Sequence, residues 1–235
     1  TLLRRFPPED ITIVPHVGTF QMVAARMLWS VADTKAVTLH GRPLETLALH
    51  LAPGARLVLY SRDGETPATV AKLLTERGYG DSPISVFEHL DGPDERRLDG
   101  AAAGWPHGRT ADLNAIAVAC VAGPHAWIAP RVPGLADDLF EHDGKITKRE
   151  VRAASLARLM PLPGQLLWDV GAGAGSIAIE WMRAAESARA VAIEHNAERR
   201  ASAARNAQAL GVPGLHIIDG SAPEVFDDLD GAENG

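Results

Sequence analysis

Residues that would mark several classes of protein are scarce or missing in this sequence. Its one cysteine, Cys120, lies in an apolar run and has no partner for a disulfide within the chain. The nine histidines show no HExxH pair and no zinc-type spacing with cysteine, so no metal site is predicted. There is no secretory signal and no apolar run of about 18 residues. These absences predict a cytoplasmic protein with no membrane partner.

The balance of charge argues against another class of partner. The chain has a formal net charge of −7, whereas a protein that binds duplex nucleic acid usually presents a basic surface. We therefore expect no nucleic-acid partner, although a local basic patch is compatible with a small anionic substrate. Hydrophobic residues make up 46% of the chain, which is enough for a core, and its length predicts one or two domains.

The first part of the chain, residues 1–125, alternates short apolar runs with helical stretches. This pattern predicts an α/β domain with a parallel or mixed sheet and covering helices. Residues 91–109 are polar and rich in glycine and are predicted to form a loop, and Gly78 is expected to end a helix. The predicted strands are 11–14, 36–39, 56–60, 84–88 and 113–121, and the predicted helices are 21–30, 44–51 and 67–77.

A segment with three prolines, between residues 123 and 134, predicts a domain boundary. Residues 131–235 are then expected to form a second α/β domain. Thr147 and Glu150 have the spacing of a capping box, which predicts that a helix begins there and continues to about residue 160. The strands predicted after it are 166–170, 190–193 and 215–218, and the helices are 176–185 and 196–210.

The most informative motif is a glycine loop between a predicted strand and helix. Gly171, Gly173 and Gly175 allow positive φ angles and let a ligand lie against bare backbone. Glu194 ends the next predicted strand, where a carboxylate can accept hydrogen bonds from the hydroxyls of a ribose. The dinucleotide fingerprint GxGxxG requires glycine where this chain has Ser176, which disfavours a nicotinamide cofactor.

S-adenosylmethionine (SAM) suits this loop better than a dinucleotide. Its sulfur is cationic and it carries an amino group, so the acid Asp169 beside the loop is favourable. The turn after the third predicted strand would place polar groups near the adenine. Two alternatives remain, which are a nicotinamide cofactor and a non-catalytic domain with no ligand. The tryptophans that flank the motif, Trp168 and Trp181, are expected in the core. The predicted cofactor-binding residues are Asp169, Gly171, Ala172, Gly173, Gly175, Ser176, Glu194, Asp219, Gly220, Ser221 and Ala222.

A basic cluster begins the helix predicted after Thr147. Lys148, Arg149 and Arg152 lie in its first turns, where positive charge opposes the helix dipole. Because cations are disfavoured at this position, their presence indicates an anion site that could hold substrate carboxylates. The alternative is an ordinary solvated helix face. In the first domain, His40 and Arg42 follow a strand and could serve that domain's own site. For His16 and His195 we expect structural roles.

Several segments resemble the precorrin-6Y C5,15-methyltransferase (decarboxylating) family. They occur in the family's order along almost the whole chain, and the Thr-Lys-Arg-Glu-Val-Arg run beginning at Thr147 is more specific than the glycine loop. In the second part the similar segments are 137–140, 146–153, 168–180 and 220–224. In the first part they are 18–21, 24–26, 39–42, 66–68, 76–80 and 92–96.

This resemblance implies a bifunctional enzyme of cobalamin biosynthesis. Such an enzyme uses SAM to methylate carbons 5 and 15 of a reduced tetrapyrrole, precorrin-6B, and decarboxylates the acetate of ring C to give precorrin-8. The resemblance also implies a tetrapyrrole-methylase-like fold for residues 1–125 and a Rossmann-like (class I) methyltransferase fold for residues 131–235. Relative to these folds, the first domain is expected to lack its opening strand and glycine loop, and the second its later strands.

Some properties stay open at the level of sequence. No residue spacing identifies a catalytic side chain, because an electron-rich tetrapyrrole can attack the methyl donor without a protein nucleophile. Another SAM-dependent methyltransferase, acting on RNA, protein or a small molecule, is the alternative function. A homo-oligomer is compatible with the sequence, but the oligomeric state is undetermined.

Overall fold

The computed structural model describes residues 4–226, and the first half of this stretch forms a five-stranded mixed sheet. The strand order is β1-β2-β5-β3-β4, in which only the β1–β2 pair is parallel. The elements of this half are α1 (Thr19–Met27), β1 (Thr34–Thr38), β2 (Arg56–Tyr60), α2 (Thr66–Glu76), β3 (Pro83–Glu88), β4 (Arg96–Ala101) and β5 (Asn114–Ala119), with a 3-10 helix at Leu44–Leu49.

Both faces of the central strands are covered, which explains why their sequences are continuously apolar. On one face, Leu57 and Leu59 of β2 pack in a cluster with Val70 and Leu74 of α2. On the other face, Val58 packs in a cluster with residues of α1. A strand buried on both sides needs apolar residues at every position rather than at alternate ones.

The second half forms a parallel sheet with strand order β6-β7-β8, in which each strand alternates with a helix. This alternation is the Rossmann-like α/β arrangement expected from the sequence. Its elements are α3 (Arg149–Leu159), β6 (Leu166–Val170), α4 (Ser176–Ala184), β7 (Arg189–Ile193), α5 (Ala197–Ala209) and β8 (His216–Ile218). Among the helices of residues 4–226, none is long and apolar enough to cross a membrane.

Two expectations about strands in the first half are wrong. Residues 11–14 form no strand, and Ile13 and Val14 are 84% and 83% exposed because no strand within residues 4–226 pairs with them. Conversely, the predicted loop 91–109 contains the edge strand β4, which pairs antiparallel with β3. An edge strand with one hydrogen-bonded neighbour tolerates polar residues, so its apolar pattern is weak.

The predicted capping box is also wrong. Helix α3 begins at Arg149 with Lys148 as its N-cap, and no side chain caps its first amides. The carbonyl of Thr147 instead accepts a hydrogen bond from the guanidinium of Arg152. Thr147 therefore lies outside the helix, where its backbone helps to surround a buried charge.

The proline-rich segment contains no helix or strand, but it packs against both halves. Two guanidinium groups lie near the ring of Trp127, with the Arg77 carbon 4.6 Å and the Arg183 carbon 5.8 Å from its centroid. The amide of Trp127 donates to the carbonyl of Arg77 (2.8 Å), and Arg77 also donates to the carbonyl of Ala209 (2.7 Å). The domain boundaries at residues 125 and 131 remain a prediction.

Candidate functional site

The three parallel strands of the second half end at the same edge of the sheet. Val170 of β6 is in register with Ile193 of β7, which is in register with Ile218 of β8. The next residues along the chain are Gly171, Glu194 and Asp219. The structure thus brings together the glycine loop, the acid and the polar turn predicted from sequence, at the edge where ligands bind in open α/β sheets.

The glycine loop adopts backbone conformations that favour glycine. Gly171, Gly173 and Gly175 have φ angles of 74°, 56° and 75°. A Cβ atom at Gly171 would meet no atom within 4 Å, so the space above this residue is open. At Gly175, which is the N-cap of α4, a Cβ atom would lie 3.1 Å from the Cβ of Ala203, so this glycine also lets α5 approach the loop.

Glu194 is attached to the glycine loop and is only 3% exposed. One carboxylate oxygen accepts from the amide of Gly173 and the other from the amide of Asn196, both at 2.9 Å. Each carboxylate oxygen can accept a further hydrogen bond. The carboxylate is therefore oriented by backbone donors and keeps the capacity to accept from ligand hydroxyls.

Asp169 precedes the loop and contacts the helix that follows it. Its carboxylate accepts from the amide of Ala178 (3.1 Å), and burial raises its pKa. Ser176 is buried at the start of α4, and Trp181 lies in the core of this half as expected. Asp169 thus joins the first turn of α4 to β6, which is a structural role that its sequence position alone does not reveal.

The turn after β8 is held by Arg200, a residue that the sequence reasoning missed. Its guanidinium forms a two-point pair with Asp219 (2.7 and 2.8 Å) and donates to the carbonyls of Glu194 (2.9 Å) and His195 (2.7 Å). It therefore connects the ends of β7 and β8. The only sequence signal for this role of Arg200 is its position. It lies four residues after Asn196, one turn into a helix that follows a strand.

Gly220, the next residue of this turn, packs closely against Val225. A Cβ atom at Gly220 would lie 2.8 Å from a methyl carbon of Val225, so a larger residue would displace the turn. Ser221 and Ala222 are exposed at the surface beyond it. These two residues are accessible to a ligand at the sheet edge.

Asn196 and Asn206 are two further residues that organise the region beside the loop. The side chain of Asn196 caps α5 by accepting from the amides of Glu198 and Arg199. Asn206, buried in the same helix, donates to the carbonyl of Ala174 (3.0 Å) and so holds the loop from behind. Asparagine before an alanine-rich helix is a recognisable N-cap, but nothing in the sequence indicates the contact of Asn206.

The basic cluster does not act as one patch, because Arg152 points into the protein. Its side chain is fully buried; Nε donates to Glu180 (2.8 Å) and Nη1 to Asp137 (2.7 Å). It also donates to the carbonyls of Leu135 and Thr147. With its donors occupied in this way Arg152 is a structural residue, and its assignment to substrate binding is corrected.

The other two basic residues remain accessible. Lys148 is 64% exposed, with its ammonium nitrogen 3.6 Å from Asp137, and Arg149 is also exposed. They stand at the start of α3, and Lys145 precedes them on the surface. A surface ion pair of this length is weak and leaves Lys148 able to engage a ligand.

The candidate residues of the first half are not brought together. His40 lines a cavity of about 290 Å³ with Tyr60 and Asn114, and the buried Oδ1 of Asn114 has no hydrogen-bond partner among residues 4–226. Arg42 lines a different cavity. His16 is exposed, and its Nδ1 lies 3.1 Å from the carbonyl of Val17.

The parallel sheet, the glycine loop and the buried acid at its edge define a Rossmann-like half, and comparison with known proteins identifies the relatives of this chain. Residues 138–233 match the precorrin methyltransferase domain family. The chain is 44% identical over 226 residues to a precorrin-6Y C(5,15)-methyltransferase [decarboxylating] of Sinorhizobium sp, covering 96% of this chain and 55% of that protein. The chain is therefore homologous to the precorrin-6Y methyltransferases, and the resemblance inferred from sequence is confirmed.

Two further relatives are shorter matches. A probable cobalt-precorrin-6B C(15)-methyltransferase (decarboxylating) of Pyrobaculum calidifontis is 36% identical over 105 residues, covering 43% of this chain and 54% of that protein. The solved C-terminal domain of the Rhodobacter capsulatus precorrin-6Y C5,15-methyltransferase is 41% identical, with a TM-score of 0.41, covering 43% of this chain and 54% of that one. The chain spans about half the length of the curated relatives it matches.

Proposed function

We propose that this chain takes part in the SAM-dependent methylation of precorrin-6B at carbons 5 and 15, with decarboxylation of the ring C acetate. The observation that carries the proposal is the sheet edge where Gly171, Glu194 and Asp219 meet. That geometry occurs in a chain 44% identical to a protein named for these reactions. The alternatives are a nicotinamide-dependent enzyme and a methyltransferase with another substrate.

The residues at the sheet edge fit SAM. Glu194 has spare acceptor capacity for the two ribose hydroxyls, while its existing bonds to Gly173 and Asn196 keep it in place. The open space at Gly171 allows the ligand to lie against the loop backbone. Ser221 and Ala222 are exposed where the adenine would reach. When bound, SAM supplies an electrophilic methyl group on a cationic sulfur.

The protein's own contribution is to bind and align rather than to attack. The bridging carbons of a reduced tetrapyrrole are nucleophilic, so the chain must hold carbon and methyl in line, and such alignment lowers a barrier by several kcal/mol. The substrate carries acetate and propionate carboxylates. Lys148 and Arg149 are exposed cations at the start of α3, and we assign them to these carboxylates.

A division of labour follows from the family's chemistry. Residues 131–235 would carry out methylation at carbon 15 and the decarboxylation, and residues 1–125 would serve carbon 5. The Pyrobaculum relative supports this division, because it is named for the C(15) reaction alone and its match is similar in length to the second domain. The second half, expressed alone from about Pro130 to its native end, should then bind SAM. The cytoplasmic location and a homo-oligomeric state also remain predictions.

The proposal is tested in two stages with this chain. Calorimetric titrations with SAM and with NAD should show binding of SAM alone, and binding of NAD instead would exclude a methyltransferase. Incubation with precorrin-6B and methyl-labelled SAM should then give a product with added methyl groups and one CO2 lost, measured by mass. SAM binding with no transfer to the tetrapyrrole would favour another substrate.

A further inference from the structure

We propose that the cleft between the two halves of the chain is a binding site for the carboxylate groups of a small polycarboxylate, formed by Lys35, Arg42, His50 and Arg131. The cleft has a volume of about 330 Å³. It is lined on one side by β1 and the 3-10 helix that follows it. On the other side it is lined by Arg131 and the end of α4.

The charge of the lining is the first observation. It contains three Lys or Arg residues and one carboxylate, the exposed Glu186. Within residues 4–226, the side chains of Lys35 and Arg42 make neither an ion pair nor a hydrogen bond. Most arginines of this protein are paired with acids or carbonyl groups, so cations without partners around one cavity indicate a place for an anion.

The second observation is a buried polar atom without a partner. The Nδ1 atom of His50 is buried and makes no hydrogen bond within the described chain. Such an atom is costly unless a ligand or a water molecule bonds to it. His50 lines the cleft, so a ligand carboxylate there could accept a hydrogen bond from the neutral imidazole in the tautomer that carries its hydrogen on Nδ1.

His50 is partly buried and lies within electrostatic range of Lys35 and Arg131. Its pKa is lowered to about 4, first by burial and then by the charges of Lys35 and Arg131. Arg131 is held by a hydrogen bond from its Nε to the carbonyl of Arg183 (2.7 Å). Because Lys35 and Arg131 come from different halves, a bound anion would be attracted to both at once.

A small polycarboxylate is a better fit than a single large partner, since the space is limited and the cations surround it on several sides. This inference does not rest on the proposed function. The carboxylate chains of a tetrapyrrole belong to the same chemical class, but the test uses citrate. A failure of methyl transfer would therefore leave the result for the cleft unchanged.

The experiment follows the imidazole nitrogen resonances of His50 by NMR while the chain is titrated with citrate, and measures affinity by calorimetry. Citrate should shift the His50 signals and bind with a single Kd. The double variant Lys35→Met/Arg42→Gln should weaken binding about tenfold or more, since two charge-assisted contacts are removed. The matched variant Lys72→Met/Arg158→Gln loses the same charge at other exposed sites and should bind as the parent does.

Three outcomes would overturn the proposal. The first is no shift of the His50 signals with citrate, and the second is equal binding by the parent and the Lys35→Met/Arg42→Gln variant. The third is an equal shift with chloride at matched ionic strength, or with inorganic phosphate, which would show screening or a general anion effect. A circular dichroism spectrum of each variant checks that it is folded.

Discussion

The two halves of the described chain differ in how many charged side chains they bury: the first half buries one, whereas the second half buries several. Among the described residues, Glu88 is the buried charged residue of the first half, and its partner Arg96 is 63% exposed. The second half buries four charged residues: Arg152, Glu180, Arg183 and Glu194. Four of the five buried charged residues described therefore lie in the half that carries the glycine loop.

The buried charges of the second half are held by specific partners. Glu180 accepts from Arg152 (2.8 Å) and from the amides of Gly134 (2.5 Å) and Leu135 (3.1 Å), so it attaches the proline-rich segment to α4. Arg183 donates to backbone carbonyls, including that of Ala129 (2.6 Å). The smaller sheet of the second half has less apolar surface to bury. The contacts of Glu180 and Arg183 therefore help to fix the position of α4, the helix that follows the glycine loop.

The largest expected effect tests directly whether the second half depends more on its buried charges than the first half does. Glu180→Ala leaves Arg152 buried with Asp137 as its remaining acidic partner and removes the acceptor of two amides. It should lower the free energy of unfolding by about 3 kcal/mol, measured by urea denaturation. The matched variant Glu88→Ala should cost less, because Arg96 is exposed and can be solvated. Equal losses for both variants would show that the two halves do not differ in this respect.

The next effect concerns the cofactor. Glu194→Ala removes the proposed ribose acceptor and should weaken SAM binding by about 1–3 kcal/mol in calorimetry. Glu194→Gln keeps part of the hydrogen bonding, so its affinity for SAM should lie between those of Glu194→Ala and the parent. Glu198→Ala, an exposed carboxylate in the first turn of α5, is the control. Unchanged affinity in Glu194→Ala would remove Glu194 from the site.

A smaller effect is expected from pH at the contact between the halves. The pKa of His50 is lowered to about 4 in the folded chain, so between about pH 6.5 and pH 4 the unfolded state binds more protons. The free energy of unfolding should therefore decrease as the pH is lowered from about 6.5 to 4. His50 is partly solvated, so the loss should be about 1–2 kcal/mol.

The test is urea denaturation at pH 7 and pH 5. His50→Gln should show a smaller loss of stability than the parent between these two values, whereas the exposed control His216→Gln should behave as the parent does. A loss in His50→Gln that equals the parent's would show that His50 does not contribute.

The smallest effect is expected at the exposed cations. Lys148→Ala/Arg149→Ala should raise the KM for the tetrapyrrole by about threefold to tenfold, since solvated charge pairs contribute little. SAM affinity should stay as in the parent, and Arg158→Ala at the other end of α3 is the control. Normal turnover at low substrate concentration would mean that the two residues form only a solvated surface.

The sequence predicted local features well where one short segment contains the whole cause. The strands 56–60 and 166–170 are confirmed with the same bounds, because each is a short run rich in strand-forming residues between turn residues. The positive φ angles of Gly171, Gly173 and Gly175 follow from residue type and position. Gly78, with φ 77°, follows helix α2 as predicted.

Features that depend on distant residues could not be predicted in this way. Strand β4 exists because β3 offers a hydrogen-bonding edge, and its own sequence is mostly polar. Residues 11–14 have the composition of a strand but no neighbour to pair with. In both cases the outcome depends on which strand lies alongside.

The sequence by itself determined the alternation of strands and helices in the second half, the glycine loop, the acid after the next strand and the relationship to the precorrin-6Y methyltransferases. Only the tertiary structure decided that Arg152 is buried and that Lys148 and Arg149 remain exposed. The physical reason is that a charge is stable inside a protein only with partners. Those of Arg152 include Glu180, 28 residues away, and Asp137, 15 residues away, whose approach no local pattern records.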